Sequence, residues 1–126
     1  MRRIFVAFAI EDWNHKILFT GHAKNARVPY EFVDMSVREP WDSQWKTNCR
    51  ARIKSCSGVV ILISPNLKNA TGALWEAKCA IEENKPIIGV YINGGNAWHV
   101  PLEFWGKFKC YTWQYDHIKN FVESLY

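Results

Sequence analysis

The apolar positions of the chain fall into short runs that alternate with amphipathic stretches. The clearest run is Gly58 to Ser64, GVVILIS, nearly continuous and rich in β-branched residues. Such a run predicts a central parallel strand buried on both faces. Pro65 to Thr71 carries Pro, Asn and Thr, with Gly72 beside it, which is loop chemistry. Ala73 to Asn84 then reads as a helix, with Thr71 placed to cap it. Ala73, Leu74, Ala77, Ala80 and Ile81 form its apolar stripe. Glu76 stands about one turn into that helix, beside Trp75.

The same pattern extends in both directions. Arg3 to Ala9 predicts a first strand, and Glu11 to about Lys24 a first helix with Trp13, Ile17, Leu18 and Gly21 inward. Asn25 and Pro29 end that helix, and Tyr30 to Asp34 predicts a short second strand. Met35 to Trp41 reads as a loop, and Asp42 to Ser55 as a second helix. In it, Trp41, Trp45, Cys49, Ile53 and Cys56 recur at close to helical period. Pro86 to Ile92 predicts a fourth strand, Asn93 to Asn96 a loop, and Pro101 to Gly106 a short helix. Lys109 to Trp113 predicts a fifth strand, and Asp116 to Leu125 a closing helix with Ile118, Phe121, Val122 and Leu125 inward. Strands alternating with helices mean an α/β, doubly wound, five-stranded parallel sheet. The order 2-1-3-4-5 puts its switch point between strands one and three. Ligands of such sheets bind outside the carboxyl ends of the strands. The expected crevice is therefore bounded by Phe8 to Asp12, by Ser64 to Thr71, and by Glu76.

Length and charge narrow the functional classes. The 126 residues suit one domain, residues 1–126, and no linker or repeat divides them. A net charge of +4 is too small to argue for nucleic acid. Lys46, Arg50, Arg52 and Lys54 give the second helix a basic face, either simply solvated or attractive to phosphates or an acidic partner. Cys49, Cys56, Cys79 and Cys110 make no C-x-x-C pair. On one helix Cys49 and Cys56 would be roughly 10 Å apart, too far for a disulfide. Buried reduced cysteines fit a cytoplasmic protein. The first apolar run stops at Ile10, before Glu11 and Asp12, and so reads as a strand and not a signal peptide. No run reaches the roughly 18 apolar residues that span a membrane.

Several tenants of the crevice are excluded by motif. No G-x-x-x-x-G-K-[ST] is present, and strand one leads into Ala9-Ile10-Glu11-Asp12 where a dinucleotide fingerprint would need glycines. A phosphoacceptor receiver would need Asp where Ser64 stands. The histidines His15, His22, His99 and His117 lack metal-ligand spacing, so no metal is expected. A single carboxylate, Glu76, remains among aromatics and small residues. One carboxylate is too few for ordinary glycoside hydrolysis. It suffices for the nicotinamide bond of NAD, whose leaving group is already cationic, because the site need only stabilise an oxocarbenium-like ribose. Trp75 or Trp41 offers a stacking face. A glutamate in a first helical turn is also favoured by the helix dipole alone.

The segments RIFVAFAIED, FVDMSVREPWDSQWKTNCRARIKSCSGVVILIS and GALWEAKCAIEENKPIIGVYI resemble the TIR-like proteins of the bacterial Thoeris antiphage system. The resemblance covers most of residues 3 to 92, and EPW followed by the basic helix is its most specific part. It implies a flavodoxin-like TIR fold and cleavage of NAD at the nicotinamide bond, often with cyclisation to an ADP-ribose isomer used as a signal. Glu76 matches the family's catalytic glutamate, and Phe8 and Ala9 match its substrate-lining segment. Met35 to Trp41, with Arg38 and Trp41, matches the loop that helps form the site and contacts neighbours. Asp34 and Ser64, at the ends of their strands, and Trp75 complete the expected substrate-binding set. One position departs: many enzymatic TIR domains have a cysteine three residues before the glutamate, whereas Cys79 lies three residues after Glu76.

The leading expectation is thus an NADase or cyclase that takes NAD as substrate and needs no cofactor. It would self-associate through TIR surfaces and signal to a separate effector through its nucleotide product, without nucleic acid or membrane. Strands and helices occupy nearly all of the sequence, which favours a diffusible output over an effector domain of its own. The rival from another class is a TIR-like module that acts by self-association alone. A nucleoside deoxyribosyltransferase-like enzyme is a further alternative. Release of nicotinamide from NAD separates the first two.

Overall fold

The computed structural model describes residues 2–21, 30–34 and 43–125. Five strands, β1 (Arg2–Ala7), β2 (Tyr30–Val33), β3 (Gly58–Ile63), β4 (Ile87–Tyr91) and β5 (Lys109–Thr112), form one sheet in the order β2-β1-β3-β4-β5. Every pairing is parallel, with Ile4 opposite Gly58 and Ile61 opposite Gly89. All six residues of β3 are buried. This is the consequence of an apolar run with no polar alternation, covered by helices on both sides. Truncation of one such side chain, for example Ile61→Ala, costs about 3 kcal/mol.

Four helices provide that cover: α1 (Trp13–Gly21), α2 (Ser43–Ser55), α3 (Thr71–Glu82) and α4 (Tyr115–Ser124). Phe5, Ala7, Val59, Ile61 and Ile63 pack on one face with Trp45, Cys49 and Ile53 of α2 and Ala73, Ala77 and Ala80 of α3. Ile4, Val6, Val60 and Leu62 pack on the other with Phe19 of α1 and Ile118, Phe121 and Val122 of α4. Two-residue alternation along each strand sorts the side chains between the faces. The fold is the doubly wound, flavodoxin-like α/β sheet expected from the pattern. All four cysteines are free thiols. Among the described residues no helix is long and apolar enough to cross a membrane.

Local details differ from the sequence expectation. A 3-10 turn at Ile10–Asp12 leads into α1, and Phe19 is the side chain that α1 buries. The expected inner residues Trp13, Ile17 and Leu18 are exposed, at 41%, 49% and 61%. Two anchors set this phase: Asp12 is pulled inside by hydrogen bonds, and the Phe19 ring packs 5.2 Å from Phe32 and 6.0 Å from Trp113. Thr71 is the first helical residue of α3 and not its cap. Ala70 holds the cap position and offers only its carbonyl, to Leu74 at 2.9 Å. Pro101 to Gly106 forms only a 3-10 turn, Leu102–Phe104. The ends proposed at Asn25 and Pro29, and the loop from Met35 to Trp41 with Asp42, lie outside the described residues.

The basic face of α2 is largely spoken for. Arg50 pairs with Glu82 at 2.9 Å and with Glu83 at 2.6 Å, and Arg52 donates to the Asp34 carbonyl at 2.7 Å. The charges thus fasten α2 to the end of α3 and to the end of β2. Asn84, at φ 55°, closes α3: Lys85 N–H reaches the Ala80 carbonyl and Asn84 N–H that of Ile81. This left-handed close is one that Asn tolerates better than most residues.

Candidate functional site

The carboxyl ends of β1, β2, β3 and β4 carry three linked groups of polar side chains. The first is centred on Asp12, which is fully buried. Its carboxylate accepts a very short hydrogen bond from Ser64 Oγ, a bond from Asn66 Nδ2 at 2.9 Å, and one from Asn93 Nδ2 at 3.1 Å. Asn66 N–H in turn donates to Ser64 Oγ at 3.0 Å. A buried carboxylate is tolerable where donors replace water, and here three do. The loops after β1, β3 and β4 are thereby tied to one atom pair. Gly95 completes the tie, because its backbone lies against the Ile63 carbonyl where a Cβ would collide.

The second group surrounds Glu76. The helix α3 presents its small residues, Ala73, Ala77 and Ala80, to the sheet, and Glu76 shares that buried side. It is 4% exposed. Among the described residues its hydrogen-bond partner is Cys49 of α2, whose thiol donates to Oε2 at 3.8 Å. Burial raises the Glu76 pKa well above the usual carboxylate range, the negative charge of Asp34 raises it further, and the Cys49 thiol opposes the shift. Burial and Glu76 together push the Cys49 thiol up as well. A carboxyl held so can respond to a neighbouring positive charge by ionising.

The third group joins β1 to β2. Lys16 of α1 pairs with Asp34 Oδ2 at 2.8 Å. The same ammonium stands 5.7 Å from the centre of the Phe8 ring and 4.9 Å from that of Trp13. Asp34 is thus the joint of the site, bonded to Lys16 on one side and felt by Glu76 on the other.

The expected site residues divide accordingly. Phe8, Asp34 and Glu76 are brought to the same edge of the sheet, and Ala9 contributes its backbone, with its carbonyl accepting from Asp12 N–H at 2.8 Å. Ser64 is fully buried and its hydroxyl is committed to Asp12. Trp75 packs 5.4 Å from Trp45 with Arg50 over its ring, and borders a shallow groove with Lys46, Thr47 and Lys54. Arg38 and Trp41 lie outside the described residues. Asp12 as a tie and Lys16 as a site cation were missed. No local motif announces either, because their partners are in loops distant in sequence. An apolar cavity of about 500 Å³ beyond β4 and β5, lined by Tyr91, Trp98, Phe104, Trp105 and Phe108, holds no carboxylate and is not this site. Among the described residues no three His, Cys, Asp or Glu side chains are grouped to hold a metal ion.

A doubly wound parallel sheet in the order β2-β1-β3-β4-β5, with buried carboxyl groups at its switch-point edge, defines a flavodoxin-like α/β domain. Residues 5–97 match the family described as "Thoeris protein ThsB, TIR-like domain", and the chain belongs to that family. Among solved structures, a 3-dehydroquinate dehydratase-like protein from Bifidobacterium longum is similar over 99% of this chain and 95% of that one, at 13% identity and a TM-score of 0.41. That likeness is too distant to carry an argument. A search of curated proteins finds no match.

Proposed function

We propose that the chain is an NAD-consuming enzyme of Thoeris defence, which breaks the nicotinamide–ribose bond and makes a cyclic ADP-ribose-type signal. The observation that carries this reading is the setting of Glu76: buried, its pKa raised by that burial, and, among the described residues, hydrogen-bonded by the Cys49 thiol alone. Bringing the cationic nicotinamide riboside beside it would favour the ionised form. As the C–N bond breaks, nicotinamide leaves with the bonding electron pair and its ring becomes neutral. The positive charge moves to the ribose, where the Glu76 carboxylate stabilises it. A nucleophilic atom of the same ADP-ribose then closes the ring, and any proton it carries is lost to water. A dry site favours that internal attack over hydrolysis. The product acts on a separate effector, and the reaction is assigned to the cytoplasm, where free thiols persist.

The test is incubation of the full chain with NAD across a wide range of protein concentration, with nicotinamide and ADP-ribose isomers followed by mass spectrometry. Nicotinamide release by the parent and none by Glu76→Gln supports the reading. Equal release by both overturns it. Activity that survives a chelator is expected, since the leaving group carries its own charge.

A second reading draws on exposed Trp98, Leu102 and Trp105, at 78%, 74% and 54%. Such a patch is suited to a protein contact. It favours a non-catalytic module that acts by self-association, or an enzyme whose activity rises on assembly. Specific activity that grows with concentration supports assembly of an enzyme; oligomers without nicotinamide release support the module.

A further inference from the structure

Lys16 sits where a ligand cation would sit. The rings of Phe8 and Trp13 are 5.9 Å apart and inclined at 48°, so they form a wedge and not a stack. The Asp34 carboxylate closes the wedge from the end of β2. Two aromatic faces and a carboxylate are the elements that recognise an organic cation. Only 15% of the Lys16 side chain and 18% of the Asp34 side chain reach solvent. Trp13, by contrast, is 41% exposed, so one wall of the wedge faces outward.

We propose that Phe8, Trp13 and Asp34 form a binding box for a planar organic cation of the N-alkylpyridinium class, and that Lys16 is its internal occupant, displaced when the ligand enters. The proposal rests on the NAD reading for the identity of the ligand, since the nicotinamide ring of NAD is such a cation. The box itself rests on the geometry alone. Lysine suits the part of a displaceable occupant. Its ammonium is compact and strongly hydrated, and its flexible stem can carry it out to water. Asp34 then exchanges one positive partner for another and is never left uncompensated. While Lys16 is in place, the apparent affinity for ligand is the intrinsic affinity reduced by the open fraction. The internal lysine is therefore a brake on binding.

The experiment titrates the full-length chain with 1-methylnicotinamide, which has the cation and no phosphate, and with uncharged nicotinamide as control. Lys16→Met should bind 1-methylnicotinamide at least about fivefold more tightly than the parent. Lys16→Arg, which keeps a cation in the box, should bind as the parent does. Adding Asp34→Asn to Lys16→Met should erase the gain. A folded Lys16→Met that binds no more tightly, or that gains equally for nicotinamide, overturns the proposal. Should Lys16→Met fail to fold, the parent decides: at high 1-methylnicotinamide its Trp13 indole and Lys16 ammonium NMR signals must shift together, and unmoved signals overturn the box. The two readings separate cleanly. A parent that releases nicotinamide from NAD but fails these titrations loses only the box, and one that binds the cation but never cleaves NAD loses only the enzyme.

Discussion

Two buried carboxyl groups lie at the same edge of this sheet, and they are held in opposite ways. Asp12 receives three side-chain donors, from Ser64, Asn66 and Asn93. Glu76 receives one thiol. The first carboxylate has traded water for a full set of hydrogen bonds and fastens three loops. The second has lost water and gained little, so its ionised form is disfavoured until something positive arrives. The difference shows how burial alone says nothing about role. The donors around a buried acid separate one that is fully satisfied from one left open to a further partner.

Activity should separate the two most sharply. Glu76→Gln keeps size and one acceptor but cannot ionise, and should lower nicotinamide release about a thousandfold. Chromatography of the products measures it, and a well-folded mutant with parental turnover would break the comparison. Stability should separate them the other way. Asp12→Ala strands buried donors in two loops and should cost about 3 kcal/mol in urea unfolding. Ser64→Ala should cost about 1 kcal/mol. Glu76→Gln should cost nothing at neutral pH, and an Asp12→Ala as stable as the parent would end the idea of a tie.

The pH dependence sharpens the contrast. Burial raises the Glu76 pKa in the folded chain above its unfolded value. Between those values the folded state binds the extra proton, so rising pH through that window removes stability. The stability advantage of Glu76→Gln over the parent should therefore grow from acid to neutral pH. Thermal melts of the two proteins at several pH values, subtracted from one another, give the curve, and a flat difference counts against a raised pKa. The smallest effect belongs to Cys49→Ala. The thiol opposes the upward shift of Glu76. Its removal should move the acid limb of the activity profile to higher pH, with a stability cost of about 1 kcal/mol. A limb that moves to lower pH would assign Cys49 some other part.

The sequence made the sheet legible because β3 is a pure apolar run and the other strands are bounded by loop residues. Glu76 was legible by its place on the helix after that strand. Trp75, one step of about 100° round the helix from Glu76, packs on Trp45 of α2, a meeting that no local period announces. The phase of α1 was misread for a related reason. Trp13, Ile17 and Leu18 are the more conspicuous apolar residues, but a fully satisfied Asp12 and one phenylalanine outweigh them. The ties of Asp12 and Lys16 depend on side chains from other strands' ends, and no local period encodes such meetings.

The crossover from β1 to β3 also has a consequence during synthesis. β1 pairs with β2 from Arg2 opposite Tyr30, but its other edge waits for Gly58 to Ile61. Until that stretch has left the ribosome, an apolar strand stands with an unpaired edge, the kind that captures other chains. Distant parallel pairings close slowly, so nascent chains of this protein should be held soluble by chaperones or lost to aggregates before β3 arrives.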